Sequence, residues 1–202
     1  MNDLPRFNVI IATDTIGGFS YNNKLPWKFK KDTNFYHTIT SSNVSLETNI
    51  LIMGRKTWES MNCIIPKNRI VFVITSHCEK YMKKYNDADK DNNNIKNNNV
   101  KSKTGRLFFF PSFEKALEGA SSHKMSIVWV VGGLQIYDEA LKHNNCASVY
   151  LTQINGTFKT DRTIHLKDYG ITWSNVHTEE DINDYDKKEY DLKFMKGFIN
   201  RH

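Results

Sequence analysis

The sequence predicts an α/β fold: a three-layer domain whose mostly parallel central sheet is flanked by helices and ends in a C-terminal antiparallel hairpin. Three observations predict it. Apolar runs of strand length recur, and several are continuous instead of alternating, as expected of strands buried on both faces. Stretches of helical pattern separate these runs, so strand and helix alternate. The last part of the chain then changes character, with two strand-like segments around an acidic loop.

In chain order, the strands are "FNVIIAT" (7–13), "NILIM" (49–53), "IVFVIT" (70–75), "RLFFF" (106–110), "SIVWVV" (126–131) and "ASVYLTQI" (147–154), mostly β-branched or aromatic. The helices between them fall at about 30–40, 54–61, 78–85, 112–120 and 134–143. In "PSFEKALEG", Ser112 is the expected N-cap and Gly119 the expected stop. "TWSNVHTEE" (172–180) and "EYDLKFMKGFI" (189–199) form the expected hairpin at the sheet edge.

The chain has 202 residues, enough for a single domain, 1–202, with a sizeable core. One segment stands apart. In "NDADKDNNNIKNNNVKSK" (86–103), 14 of 18 residues are Asn, Asp or Lys, too polar to offset the entropy of ordering. It reads as a disordered insertion between a helix and a strand. No run of about 18 apolar residues suggests a membrane span, and the N-terminus lacks the basic-then-apolar order of a signal peptide. Cys63, Cys78 and Cys146 are scattered, so reduced thiols in a cytoplasmic compartment are expected. The His and Cys residues show no metal-ligand spacing, so no metal is expected. The formal charge is +6, but Lys is spread along the chain. That speaks against nucleic acid as the primary partner and suits a small polyanionic ligand.

Three motifs carry chemistry. In "LPWKFKKD" (25–32), Trp27 alone would read as core filling and Asp32 as a helix N-terminal charge. In "LIMGRKTWES" (51–60), a strand ends at Gly54 and a helix opens with Arg55, Lys56 and Thr57, a phosphate-binding arrangement. In "VWVVGGLQIYDEAL" (128–141), Gly132 and Gly133 close a buried strand and open a helix, which lets a ligand approach the backbone. The dinucleotide fingerprint GxGxxG is absent.

Together, "GGFSYNNKLPWKFKKDTNFY", "ILIMGRKTWESM", "KNRIVFVITS", "VVGGLQIYDEAL" and "VYLTQI" resemble the successive landmarks of the dihydrofolate reductase family, in order and at nearly the family's spacing. The resemblance covers about residues 7–197. It implies hydride transfer from NADPH to C6 of dihydrofolate with a proton to N5, in one-carbon metabolism and thymidylate synthesis. It also implies antifolates as ligands. Asp32 is then the pterin-binding acid, and Trp27 shields the site and holds a water. Substrate contacts are implied for Ile10, Ile11, Ala12, Leu25, Thr33, Tyr36, Met61, Val131 and Tyr137. Thr152 supports Asp32 from behind, and Arg69 forks onto the α-carboxylate of the glutamate tail.

The cofactor side follows by the same match. Ala12 and the loop residues Phe19, Ser20, Asn23, Lys24 and Leu25 face the nicotinamide. Gly54, Arg55, Lys56 and Thr57 meet phosphates, with Thr75, Ser76 and His77 beside them. Gly132, Gly133, Leu134, Gln135, Ile136 and Tyr137 lie against pyrophosphate and nicotinamide, with a cis Gly132–Gly133 bond. The chain departs from the family pattern at Phe19-Ser20 (usually Ile-Gly), at Thr33 (usually larger and apolar), at Tyr36 (usually Phe) and at Ser76 (often Arg). An isolated domain of this kind is expected to be a monomer, and a fusion to thymidylate synthase a dimer. A riboflavin-pathway pyrimidine reductase shares the expected fold and NADPH but lacks the Pro-Trp pair followed by the acid. A non-catalytic binding module would not need Asp32, Trp27 and Arg69 intact.

Overall fold

The computed structural model describes residues 4–41, 48–87 and 106–201. An eight-stranded sheet forms its centre. It is built from β1 (Phe7–Thr13), β3 (Asn49–Gly54), β4 (Arg69–Ile74), β5 (Leu107–Phe110), β6 (Val128–Val130), β7 (Cys146–Ile154), β9 (Ile171–Ile182) and β10 (Glu189–Ile199). The strand order is β5-β4-β3-β6-β1-β7-β10-β9. The first six run parallel. β10 and β9 close the edge antiparallel.

Five helices connect the strands: α1 (Lys30–Thr40), α2 (Arg55–Ser60), α3 (Cys78–Asp87), α4 (Phe113–Ala120) and α5 (Leu134–Lys142). Alternate residues of the central strands feed two separate cores. Ile50, Ile52, Phe72, Val128 and Val130 pack with Phe113, Leu117, Ile136 and Leu141 of α4 and α5. Leu51, Met53, Val71, Val73 and Trp129 pack with Trp58 of α2 and Tyr85 of α3, and Phe35, Tyr36 and Ile39 of α1 close against them. The strands are therefore covered on both faces, which is why their sequences read as unbroken apolar runs.

The structure revises two sequence expectations, bears out a third and adds a small sheet that the sequence did not announce. Gly119 does not stop α4; it lies in the last turn, where a Cβ would stand 2.6 Å from the Phe110 ring. Close packing fixes that glycine. Ser112 does cap α4, accepting the Lys115 N–H at 3.3 Å. α3 runs to Asp87, two residues into the polar segment expected at 86–103. The rest of that segment lies outside the described residues. A two-stranded sheet also pairs β2 (Gly18–Ser20) with β8 (Arg162–Thr163). Segments of two or three residues carry no periodicity to read.

The start of α1 is secured from outside the helix. Phe29 at its N-cap supplies no side-chain hydrogen bond. The Lys31 N–H instead donates to Asp181 of β9 at 2.8 Å. Lys28 N–H donates to Asn183 at 2.9 Å, and Asp184 N–H donates back to the Lys28 carbonyl at 3.0 Å. Asp32, the only acid in the first turn, is thereby left free of capping duty.

Candidate active site

A cleft of about 1690 Å³ opens where β3, β4 and β6 end, the end of a parallel sheet at which ligands bind. Its inner limb lies between β1 and α1. Ile10, Ile11 and Ala12 line it from the strand; Trp27, Asp32, Thr33 and Tyr36 line it from the opposite side. Ala12 pairs with Thr152 of β7 in parallel register, which places the Thr152 side chain behind this wall. The Thr152 hydroxyl is near enough to the Asp32 carboxyl to favour its charged form.

Asp32 keeps a small accessible area on the cleft but is otherwise enclosed by protein. Burial pushes its carboxyl up to about 6, against the lowering effect of the neighbouring Thr152 hydroxyl, and the nearby charge of Asp181 adds to the rise. Trp27 is 1% exposed, and its indole N–H is buried with no partner among the described residues. Its ring meets Phe158 edge-on at 5.1 Å. The Tyr36 hydroxyl is likewise buried and unpartnered, and burial pushes it up to about 12.

The outer limb lies between α2 and α5. Gly54 N–H donates to the Gly132 carbonyl at 2.7 Å, joining the ends of β3 and β6. Gly132 has φ +106°, and the Gly132–Gly133 bond is cis. A Cβ on Gly132 would lie 2.7 Å from the Tyr137 ring. The Tyr137 hydroxyl donates to the Ile10 carbonyl at 2.9 Å, so α5 and β1 are tied beneath the cleft. Arg55 pairs with Glu59 at 2.7 Å, and Glu59 also accepts from Tyr81 at 2.6 Å. Ser76 Oγ and His77 Nδ1 lie 3.0 Å apart.

The dihydrofolate reductase family model matches residues 6–108 and 89–197. This chain belongs to the dihydrofolate reductase family. It is 32% identical over 155 residues to the bifunctional dihydrofolate reductase-thymidylate synthase of Paramecium tetraurelia, covering 77% of this chain and 27% of that one. It is 29% identical over 163 residues to the dihydrofolate reductase of Heliothis virescens, covering 77% of each. A solved dihydrofolate reductase from Enterococcus faecalis, complexed with NADP(H) and RAB-propyl, superposes with a TM-score of 0.66 at 25% identity, covering 97% of both chains.

Most residues expected from the family resemblance gather on this one cleft. Phe19, Ser20, Asn23, Lys24 and Leu25 roof it; Arg55, Lys56, Thr57 and Met61 come from α2 and its end. Thr75, Ser76 and His77 follow β4, and Val131, Gly133, Leu134, Gln135, Ile136 and Tyr137 follow β6. Gly132, Thr152 and Arg69 do not line it, and the one furthest from expectation is Arg69. It is 4% exposed and does not line the cleft. Its Nη2 donates to the His37 carbonyl at 2.6 Å and to Ser41 Oγ at 2.7 Å, Nη1 to the Lys67 carbonyl at 3.2 Å, and Nε to the Thr40 carbonyl at 3.4 Å. The last carbonyls of α1 lack intrahelical partners, and a cation at a helix C-terminus satisfies them. A ready bidentate fork is therefore not what this guanidinium presents.

Sequence reasoning missed other lining residues. Phe29, His37 and Ile74 sit close to its motifs. Arg162–His165 and Tyr185 come from distant chain and carried no signal. Thr33, where the family usually has a larger apolar residue, turns its hydroxyl to the Phe29 carbonyl at 2.8 Å. Among the described residues no group of three or more His, Cys, Asp or Glu could hold a metal ion, and no helix is long and apolar enough to cross a membrane.

Proposed function

We propose that this chain reduces 7,8-dihydrofolate to 5,6,7,8-tetrahydrofolate with NADPH, in support of one-carbon metabolism and thymidylate synthesis. The observation that carries the reading is Asp32: an enclosed carboxyl in the inner limb, free of capping duty and poised near pH 6. A carboxylate there accepts two parallel N–H bonds from the 2-amino group and N3 of a pterin. Ile10, Ala12, Tyr36 and Met61 supply the apolar walls for the rings, and Leu25 and Val131 the rim. Antifolates bearing the same amino-substituted ring edge compete for the same carboxylate.

The outer limb fits a dinucleotide. Gly133 stands where a Cβ would come within 3.4 Å of Thr57 Oγ1, so its absence keeps the space between α2 and α5 open. Arg55, Lys56 and Thr57 face that space for phosphates, with Ser76 and His77 beyond them for the adenosine end. Phe19, Ser20, Asn23 and Lys24 cover the nicotinamide end. When bound, NADPH supplies the hydride that adds to C6. The residues of the chain manage the proton: N5 receives it through a water held by the Trp27 indole N–H, while Asp32 polarises the ring toward protonation. The N5–C6 double bond is thus saturated by one hydride and one proton. Arg69 is assigned to the carboxylate of the glutamate tail, with Ser41 Oγ yielding its place on Nη2.

We place the chain in a reducing, cytoplasmic compartment, in keeping with its free Cys63, Cys78 and Cys146. As an isolated domain it acts as a monomer; fused to thymidylate synthase it is part of a dimer. The deciding experiment is the loss of NADPH absorbance on addition of dihydrofolate. Turnover that is blocked by a diaminopyrimidine antifolate is expected. Absence of dihydrofolate-dependent NADPH oxidation in folded protein would exclude the reading.

A further inference from the structure

The loop that roofs the cleft hangs on a buried acid that the reading above does not use. Asp14 follows β1 and is 0% exposed. Its Oδ1 accepts the Gly18 N–H at 2.7 Å and the Ile16 N–H at 3.0 Å, and its Oδ2 accepts the Phe158 N–H at 3.1 Å. The backbone closes around the same side chain: Asp14 N–H donates to the Gly18 carbonyl at 2.8 Å, and Gly17 N–H to the Asp14 carbonyl at 3.1 Å. Gly18 leaves no spare room. A Cβ there would lie 2.9 Å from Asp14 Oδ2 and 2.5 Å from Thr160 Oγ1. A carboxyl at such depth costs stability unless fully hydrogen-bonded, and its described partners are all backbone N–H groups.

Of the two segments joined by this carboxyl, one brings an aromatic ring to the cleft and the other backs an aromatic ring that lines it. The 15–20 segment delivers Phe19, whose ring meets Tyr137 edge-on at 5.9 Å. The 156–158 segment supplies Phe158, whose ring backs Trp27, a lining residue of the inner limb like Asp32. Asp14 therefore ties the roof of the nicotinamide end to the wall of the pterin end, beside the reciprocal Thr15–Gly156 bonds at 3.0 Å that join the same two segments. We infer that Asp14 is a positioning residue for hydride transfer, holding Phe19 and Trp27 in the mutual placement that brings the two reacting rings together. This rests on the reductase reading.

Asp14→Asn is the discriminating variant. Its Oδ1 can keep the Ile16 and Gly18 bonds, while its amide nitrogen faces the Phe158 N–H donor to donor. The expected result is faster hydrogen exchange at the Phe158 amide with the Gly18 amide still protected. Single-turnover hydride transfer should slow on the order of tenfold, because small misplacements of reacting atoms are costly. The deuterium isotope effect on kcat with 4-deuterated NADPH should rise, and KM for dihydrofolate should stay within about twofold. Asp14→Ala should deepen each effect; if it does not fold, the Asn variant decides alone. A normal hydride-transfer rate per folded molecule, with only exchange or melting temperature altered, would reduce Asp14 to a structural tie and overturn the inference. So would unchanged Phe158 exchange. An inactive wild type with a protected Phe158 amide would instead remove the reductase reading on which it rests.

Discussion

At the scale of the residue, the role proposed for Asp32 ties its protonation state to both chemistry and stability. Its carboxyl sits near 6 in the fold against an ordinary value of 3.8, so the folded chain holds this proton more tightly than the unfolded one. Below about pH 4 both states are protonated and burial carries no electrostatic cost. Between about pH 4 and 6 that cost grows, and above 6 it stays constant. Asp32→Asn should therefore stabilise the free protein at neutral pH, by at most about 3 kcal/mol for a shift of this size, and the gain should vanish toward pH 4. Urea melts at both pH values check this; equal gains at both would mean that burial does not set the titration. The same variant should slow hydride transfer roughly 10²–10⁴-fold at neutral pH and erase the inflection of kcat/KM near pH 6, while NADPH binding persists. Arg69 makes a different prediction, because it holds the end of α1 as well as its assigned ligand. Arg69→Leu should lower the melting temperature and weaken binding by roughly 2–4 kcal/mol for folates with a glutamate tail. Equal weakening for tailless pterins would leave Arg69 only its role in α1.

At the scale of the element, the site depends on a cap lent by another strand. Asp181 of β9 accepts the Lys31 N–H and raises the carboxyl one residue further on. These two effects can be separated. Asp181→Asn keeps an acceptor for the helix but removes the charge, so the kcat/KM inflection should move to lower pH with melting little changed. Asp181→Ala removes both and should also cost about 1 kcal/mol of stability, the usual worth of an N-cap. An inflection that stays in place in both variants would show that Asp181 does not act on Asp32. This coupling was not legible in the sequence. Asp181 is remote from Asp32 along the chain, and only the long hairpin of β9 and β10 brings it back. The elements themselves were legible: unbroken apolar runs marked the parallel strands, and Ser112 marked the start of α4. What sequence reading missed were contacts of long range and short elements, namely β2 with β8, the packing of Gly119 on Phe110, and the inward turn of Arg69.

At the scale of the whole molecule, no single segment holds the site. Its walls come from β1, α1, the first turn of α2, the end of β4, the start of α5 and the β2–β8 pair, from Ile10 to Tyr185. The motifs of the sequence were short and separate; their convergence required the sheet order, which sets β1 beside β6 and β3 beside β4. A cleft assembled this way exists only in the folded chain, so whatever binds it must stabilise the entire domain by mass action. NADPH at 100 times its dissociation constant should add about 2.7 kcal/mol, which for a domain of this size corresponds to a rise in melting temperature of roughly 5–10 °C. Dihydrofolate should add its own increment in the wild type and lose most of it in Asp32→Asn, whereas the NADPH increment should be the same in both. The contrast separates the two limbs of the cleft in one thermal-shift experiment without turnover. If NADPH left the melting temperature unmoved, or if inorganic phosphate at equal ionic strength matched its effect, the outer limb would be no more than a basic surface.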